Sequence, residues 1–193
     1  MKPAARWRVV VLDDHERSRV ELRVAIEAAG GEVADEAVRC TEVLEVVRAA
    51  RPDVAVCAVG LGDGDGVEAA AQIVAEGCPV VLFTSHAGDE LVERARAAGV
   101  MAFLLKPLRP AELAPALDLA VARFTETQGL RQRLMERKVI ERAKGLLMSR
   151  YGLTEDQAYR RLRRAAMDSR RPMVDVGRDM LALESVLGDL PAG

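Results

Sequence analysis

Short β-rich runs alternate with longer helical stretches over the first part of the chain. The runs Arg8–Leu12, Glu32–Ala34, Val54–Val59, Val80–Thr84 and Met101–Leu105 predict five strands. Between them lie Glu16–Ala29, Glu42–Ala50, Gly66–Glu76 and Asp89–Ala98, several closed by glycine, which suits helices that end on a left-handed cap. Strands rich in consecutive Val and Leu, with little alternation, are buried on both faces. The pattern therefore predicts an α/β domain over residues 1–122, a five-stranded, doubly wound parallel (βα)5 sheet.

From Pro110 the rhythm changes. Leu113, Leu117, Ala120, Val121 and Phe124 recur at helical spacing, and Pro110 suits a first helical turn. The last helix of the α/β domain is expected to run on through Gly129 to Arg150, which would make it about 60 Å long at 1.5 Å per residue. Residues 110–135 form this linker helix. Its stripe turns polar at Thr127, Gln128 and Arg131, yet Leu130, Leu134 and Met135 resume a seam suited to coiled-coil pairing of two chains.

Three helical segments follow, Leu130–Arg150, Glu155–Asp168 and Met173–Leu187, within an all-α domain over residues 130–188. Thr154 with Gln157 predicts a capping box, Pro172 marks the third start and Gly188 its end. The apolar sets are Val139, Ile140, Ala143, Leu146 and Leu147; Ala158, Leu162, Ala165 and Ala166; and Val176, Met180, Leu181, Leu183 and Leu187. Spacings of three and four predict one small three-helix core.

Charge separates the two parts. Residues 1–128 carry 14 basic and 21 acidic residues, whereas residues 129–193 carry 14 and 9. Between Arg131 and Arg171 the count is 13 basic to 5 acidic, the footprint of a surface that meets phosphates. Arg137, Lys138, Arg142 and Lys144 stand on the first helix of this domain, Arg160, Arg161, Arg163 and Arg164 on the second, and Arg170 and Arg171 in the next turn, with Tyr151 and Tyr159 beside them. Arg160 and Arg164 repel at a four-residue spacing, which calls for an anionic partner. Arginine forks and tyrosine rings suit RNA loops better than duplex interiors. Cys40, Cys57 and Cys78 form no CxxC pair, so reduced thiols are expected, with no metal ribbon and no cofactor. No apolar run approaches a membrane span or a signal-peptide core, and a cytoplasmic, non-enzymatic protein is expected.

Residues beyond the carboxyl ends of parallel strands carry the chemistry of such sheets. Here they are Asp13 and Asp14, the loop from Ala58 to Gly66, Thr84 and Ser85, and Lys106 and Pro107. The motifs VLDD, PDVAV, VGLGDGDGVE, LFTS and LLKP, in that order over about residues 7–122, resemble the receiver domain of bacterial response regulators. The resemblance implies two acidic Mg²⁺ ligands, a strand-three aspartate that accepts a phosphoryl group, a sensing hydroxyl and a phosphate-pairing lysine. Asp13, Asp14, Thr84 and Lys106 match those roles, and Phe103 matches the switching aromatic. Counting from Pro52 and from Gly66, the acceptor position is Ala58. A methyl group accepts no phosphoryl group, and without its carboxylate Mg²⁺ loses a ligand. Asp13, Asp14, Ala58, Thr84 and Lys106 are thus expected to form a degenerate pocket, with Lys106 neutralising both carboxylates and no bound metal. Asp63 and Asp65 read as local turn caps, and His15 and His86 as solvent-facing loop residues.

ERKVIERAKGLLMSRYGLTEDQAYRRLRRAAMDSRRPMVDVGRDML resembles an ANTAR domain along its length. The resemblance implies a dimeric antitermination regulator that binds nascent RNA carrying paired stem-loops with six-nucleotide loops. Lys144, Tyr159, Arg160, Arg163 and Arg164 match motif positions expected to touch RNA, joined on charge by Arg137, Lys138, Arg142, Arg170 and Arg171. Gly177 stands where the family leads one to expect Ala, so a softer third helix is expected. With the phosphoacceptor absent, control would fall to a sensor protein or ligand acting on the receiver-like domain. A regulator phosphorylated at another acceptor, a DNA-binding regulator and a protein-interaction module remain the alternatives.

Overall fold

A computed structural model describes residues 6–188, with side chains through residue 185. Strands β1 (Arg8–Leu12), β2 (Glu32–Ala37), β3 (Val54–Ala58), β6 (Val80–Thr84) and β7 (Ala102–Leu105) form a parallel sheet in the order β2-β1-β3-β6-β7. Helices α1 (Glu16–Ala28), α2 (Val43–Ala50), α3 (Gly66–Ala75) and α4 (Asp89–Ala97) connect them, and α5 (Pro110–Tyr151), α6 (Glu155–Ser169) and α7 (Met173–Gly188) follow. The chain divides into two compact units between Glu126 and Thr127. Among the described residues no helix is long and apolar enough to cross a membrane.

Strands β3 and β6 are buried along their whole length, and β1 from Val9 onward, because each face has its own core. Val9, Val11, Val54, Val56, Val81 and Phe83 pack with Leu22, Ile26, Leu113 and Leu117. Their strand neighbours Val10, Leu12, Ala55, Cys57, Val80 and Leu82 pack with Val43, Val47, Val67 and Ile73. Successive residues thus enter opposite cores, as a two-residue side-chain period requires.

Three local readings are corrected. Strand β2 continues to Ala37, three residues beyond its expected end, since pairing with β1 carries the edge strand through Asp35 and Glu36. Arg19 and Arg23 both hold Glu36, which accounts for charge within a strand. The segment expected as one helix from Glu42 begins as a 3₁₀ turn, Cys40–Glu42, before α2. The glycine-rich loop contains a two-residue antiparallel hairpin, β4 (Gly60–Leu61) with β5 (Gly64–Asp65), too short to leave a hydrophobic pattern.

Helix α5 does run on, through Pro115 and Gly129, as one 42-residue helix. Its stripe Leu113, Leu117, Ala120 and Phe124 is buried. In the second unit Ala143, Leu147, Ala158 and Leu162 are buried, with Ile140, Leu153, Met173, Val176 and Met180 against them. The Thr154–Gln157 capping box is present in both directions. Ala165 and Leu183 are exposed, contrary to the expected core sets. The Leu187 side chain lies outside those described. Gly177 is buried, and a Cβ there would lie 3.3 Å from Val139 Cγ1 and 3.4 Å from Ala143 Cβ. The expected soft spot is therefore a close approach of α7 to α5.

Candidate functional site

The parallel sheet brings the carboxyl ends of β1, β3, β6 and β7 to one edge. Ala58 ends β3 opposite Phe83, and Thr84 ends β6 opposite Leu105. A cavity of about 340 Å³ opens there, lined by His15, Ser18, Ala58, Val59, Gly60, Phe83, Thr84, Ser85 and Lys106. Lys106 Nζ donates to Asp13 Oδ2 at 2.7 Å and to Ser18 Oγ at 3.1 Å. The Asp13 side chain is almost wholly buried and also accepts the His15 backbone N–H at 2.9 Å. Thr84 Oγ1 donates to the His86 carbonyl at 2.9 Å.

Lys106 does not neutralise both carboxylates as expected. Asp14 instead accepts from Gly62 N–H at 2.9 Å and lies 2.7 Å from His15 Nδ1. Partial burial works against its charge, but the Gly62 and His15 hydrogen bonds outweigh it and hold this carboxyl below its ordinary range. His15, read from sequence as a plain loop residue, belongs to this cluster although its ring is exposed. Ser18 was also missed; its signal is its place in the first turn of the helix that follows Asp13.

Asp13, Asp14 and His15 each offer a ligand atom within 4.8 Å of the others. That set does not fit Mg²⁺. The ion prefers six oxygens, one of these donors is an imidazole nitrogen, Ala58 supplies no oxygen, and Lys106 already engages Asp13. Asp63 and Asp65 have other employment. Asp63 accepts the Cys40 N–H at 3.0 Å, which with the Thr41 N–H lowers its carboxyl from the usual range. Asp65 caps α3 through Val67 N–H at 2.7 Å and pairs with Arg94. The thiols are protonated at neutral pH, since burial lifts Cys40 to about 11 and Cys78 to about 12.

The second unit carries the exposed cations. Arg137, Lys138 and Arg142 on α5, Arg161 and Arg163 on α6, and Arg170 after it are exposed and have no ion pair among the described residues. Arg160 and Arg164 are exposed but do not stand as an uncompensated repelling pair. Asp156 holds Arg160 at 2.6 Å, and Asp168 lies 3.9 Å from Arg164. Arg171 pairs with Asp179 at 2.6 Å. Tyr159 is exposed, beside a pocket it shares with Lys144, Glu155 and Asp156. Tyr151 is exposed too, and the Arg161 guanidinium lies over its ring at 4.9 Å. That stack was not foreseen, because only the turn between α5 and α6 brings the two residues together.

Lys144 departs most from expectation. It is 7% exposed, and its Nζ lies 2.9 Å from Glu141 Oε2 and 2.7 Å from Glu155 Oε1. Helical geometry carried the signal: Lys144 is four residues after Ile140 and three before Leu147, on the apolar side of α5.

The family model of the response regulator receiver domain matches residues 9–118, and that of the ANTAR domain matches residues 128–181. The transcriptional regulatory protein PdtaR of Mycobacterium tuberculosis is 38% identical over 182 residues, covering 90% of this chain and 89% of the relative. The chain is an ANTAR-type response regulator. The nitrate regulatory protein of Klebsiella oxytoca is 42% identical over 57 residues, 30% of this regulator and 14% of that protein. Among solved structures, the receiver domain of the response regulator NarL from M. tuberculosis is 32% identical, with a TM-score of 0.55 over 60% of this regulator and 97% of that chain.

Proposed function

We propose that this response regulator controls transcription by antitermination: it binds paired hexaloop stem-loops in nascent RNA through its second unit, as a dimer and without receiver phosphorylation. The observation that carries this reading is the exposed cation set Arg137, Lys138, Arg142, Arg161, Arg163 and Arg170, free of carboxylate partners among the described residues, on a chain that matches a transcriptional regulatory protein nearly end to end. Arg160, Arg164, Arg171 and Tyr159 flank that set, and an RNA phosphate would have to displace their aspartates from the three arginines. Leu130, Leu134 and Met135, each more than half exposed, supply the seam for a second copy.

Binding of labelled tandem hexaloop RNA across several salt concentrations tests the reading. Arg142→Ala and Arg163→Ala are each expected to weaken binding several-fold. Each lost phosphate contact should also lower the slope of log affinity against log salt by about 0.7 to 0.9. Competition by duplex DNA as effective as that of the hairpins would favour a DNA-binding regulator. A shallow slope with no preference among loop bases would favour a protein-docking module.

Control by a sensor protein or ligand at the receiver unit is supported by the methyl group of Ala58 at the end of β3 and by the engagement of Asp63 and Asp65 in capping and pairing. Incubation with acetyl phosphate and Mg²⁺ is expected to leave the intact mass unchanged. A species heavier by about 80 Da, the mass of one added phosphoryl group, would restore a phosphorylation switch and end this part of the proposal.

A further inference from the structure

The motif match makes Lys144 an RNA contact, but its surroundings argue otherwise. An ammonium has three N–H donors. Lys144 Nζ has three oxygens to receive them: Glu141 Oε1 at 3.0 Å, Glu141 Oε2 at 2.9 Å and Glu155 Oε1 at 2.7 Å. The lysine side chain is 9% exposed, whereas the Glu141 and Glu155 side chains are 54% and 69% exposed. A phosphate approaching this point would meet two carboxylates before the cation, with Asp156 lining the same pocket. The local charge is negative.

What Lys144 does hold is the start of α6. Glu155 is the first residue of that helix, beside the capping box of Thr154 and Gln157, where a carboxylate also meets the positive end of the helix dipole. The packing beneath is weakly specifying. Two of the four residues at the centre of the second unit's core, Ala143 and Ala158, are alanines, and so small a side chain offers few contacts to resist rotation of one helix on another.

We infer that Lys144 is a positioning residue: by bridging Glu141 on α5 and Glu155 on α6 it sets the orientation in which α6 presents Tyr159 and Arg163, and it does not itself touch RNA. This rests on the RNA-binding reading above. The raised proton affinity of Lys144, caused first by the Glu155 hydrogen bond and then by that of Glu141, agrees with a cation committed to these partners.

The two models predict opposite signs for one substitution. Glu155→Gln removes a negative charge and weakens the hold on Lys144. If the lysine contacted phosphate, RNA binding would tighten. If it positions α6, binding is expected to weaken by about 3- to 10-fold, the scale of one ordinary hydrogen bond's net contribution, with poorer discrimination among loop bases and an unchanged salt slope. Glu141→Gln, which keeps the tie to α6, should stay within about two-fold of wild type. Lys144→Met in the full chain supplies an independent reading: weaker binding at constant slope is expected. All variants are compared by stoichiometric titration with hairpin RNA, so that a loss of folded protein changes stoichiometry and leaves the affinity of the remaining fraction untouched. Tighter or unaltered binding by Glu155→Gln overturns the assignment. A fall in slope of about 0.7 to 0.9 with Lys144→Met does the same, since it marks a lost phosphate contact. A wild-type chain that ignores the hairpins at low salt would remove the RNA-binding reading itself, and this assignment with it.

Discussion

Gly66→Ala is expected to unfold the first unit at denaturant concentrations that leave the wild type intact. An added Cβ would overlap the carbonyl oxygen of Ala58 and lie 2.8 Å from its carbon and 2.9 Å from the Val59 oxygen. All three obstacles are backbone atoms, so no side-chain rotation relieves them. Gly66 N–H also donates to Val59 O at 2.8 Å, and moving α3 outward to make room would break that bond at the first residue of the helix. The cost should reach or exceed the upper range of overpacking, about 3 kcal/mol. Trp7 is the chain's single tryptophan and packs in the first unit's core, so its fluorescence reports that unit. With a slope of about 1 to 3 kcal/mol/M in urea, the midpoint should fall by 1 M or more. A midpoint equal to that of wild type would show that the approach of α3 to β3 is looser than described.

Leu162→Ala is expected to abolish the second unit while sparing the first. Leu162 is 1% exposed, and Leu147 is the only other large aliphatic side chain fully enclosed in that core among the described residues. Leu-to-Ala changes in cores cost about 2 to 5 kcal/mol, a large share of what so small a domain possesses. Far-UV ellipticity should lose the contribution of α6 and α7, and hairpin RNA binding should vanish. The Trp7 transition should persist. Leu183→Ala, at an exposed position, is the matched control and should be nearly neutral. Retention of full helicity by Leu162→Ala would mean that α7 and the rest of α5 hold the unit together without it.

Both predictions concern positions whose importance differed in legibility. Leu162 stands four residues from Ala158 and Ala166 in a clear helical period, and its burial followed from spacing. Gly66 was visible as the glycine of a turn, but its real constraint is the crowding of Ala58 from eight residues away, which no local pattern states. The cluster at the carboxyl edge of the sheet divides in the same way. Asp13, Asp14, Thr84 and Lys106 could be placed at one edge because parallel strands all end there. The division of partners, Lys106 to Asp13 and His15 with Gly62 to Asp14, required the actual loop paths. In the basic segment the sequence named the cations; it did not show that Asp156, Asp168 and Asp179 engage three of them or that Lys144 is enclosed.

By itself the sequence determined what is decided within a few residues along the chain: the five strands of the parallel sheet and the helices between them, the capping box at Thr154, and the continuation of α5. These follow from side-chain period, backbone preference and residue chemistry, each local. Only the tertiary structure decided which charges are spent inside the protein and which are left for a partner. A charge takes the nearest counter-charge in space, and that neighbour arrives by way of a turn, as Glu155 does for Lys144, or from the far end of the sheet domain, as Lys106 does for Asp13.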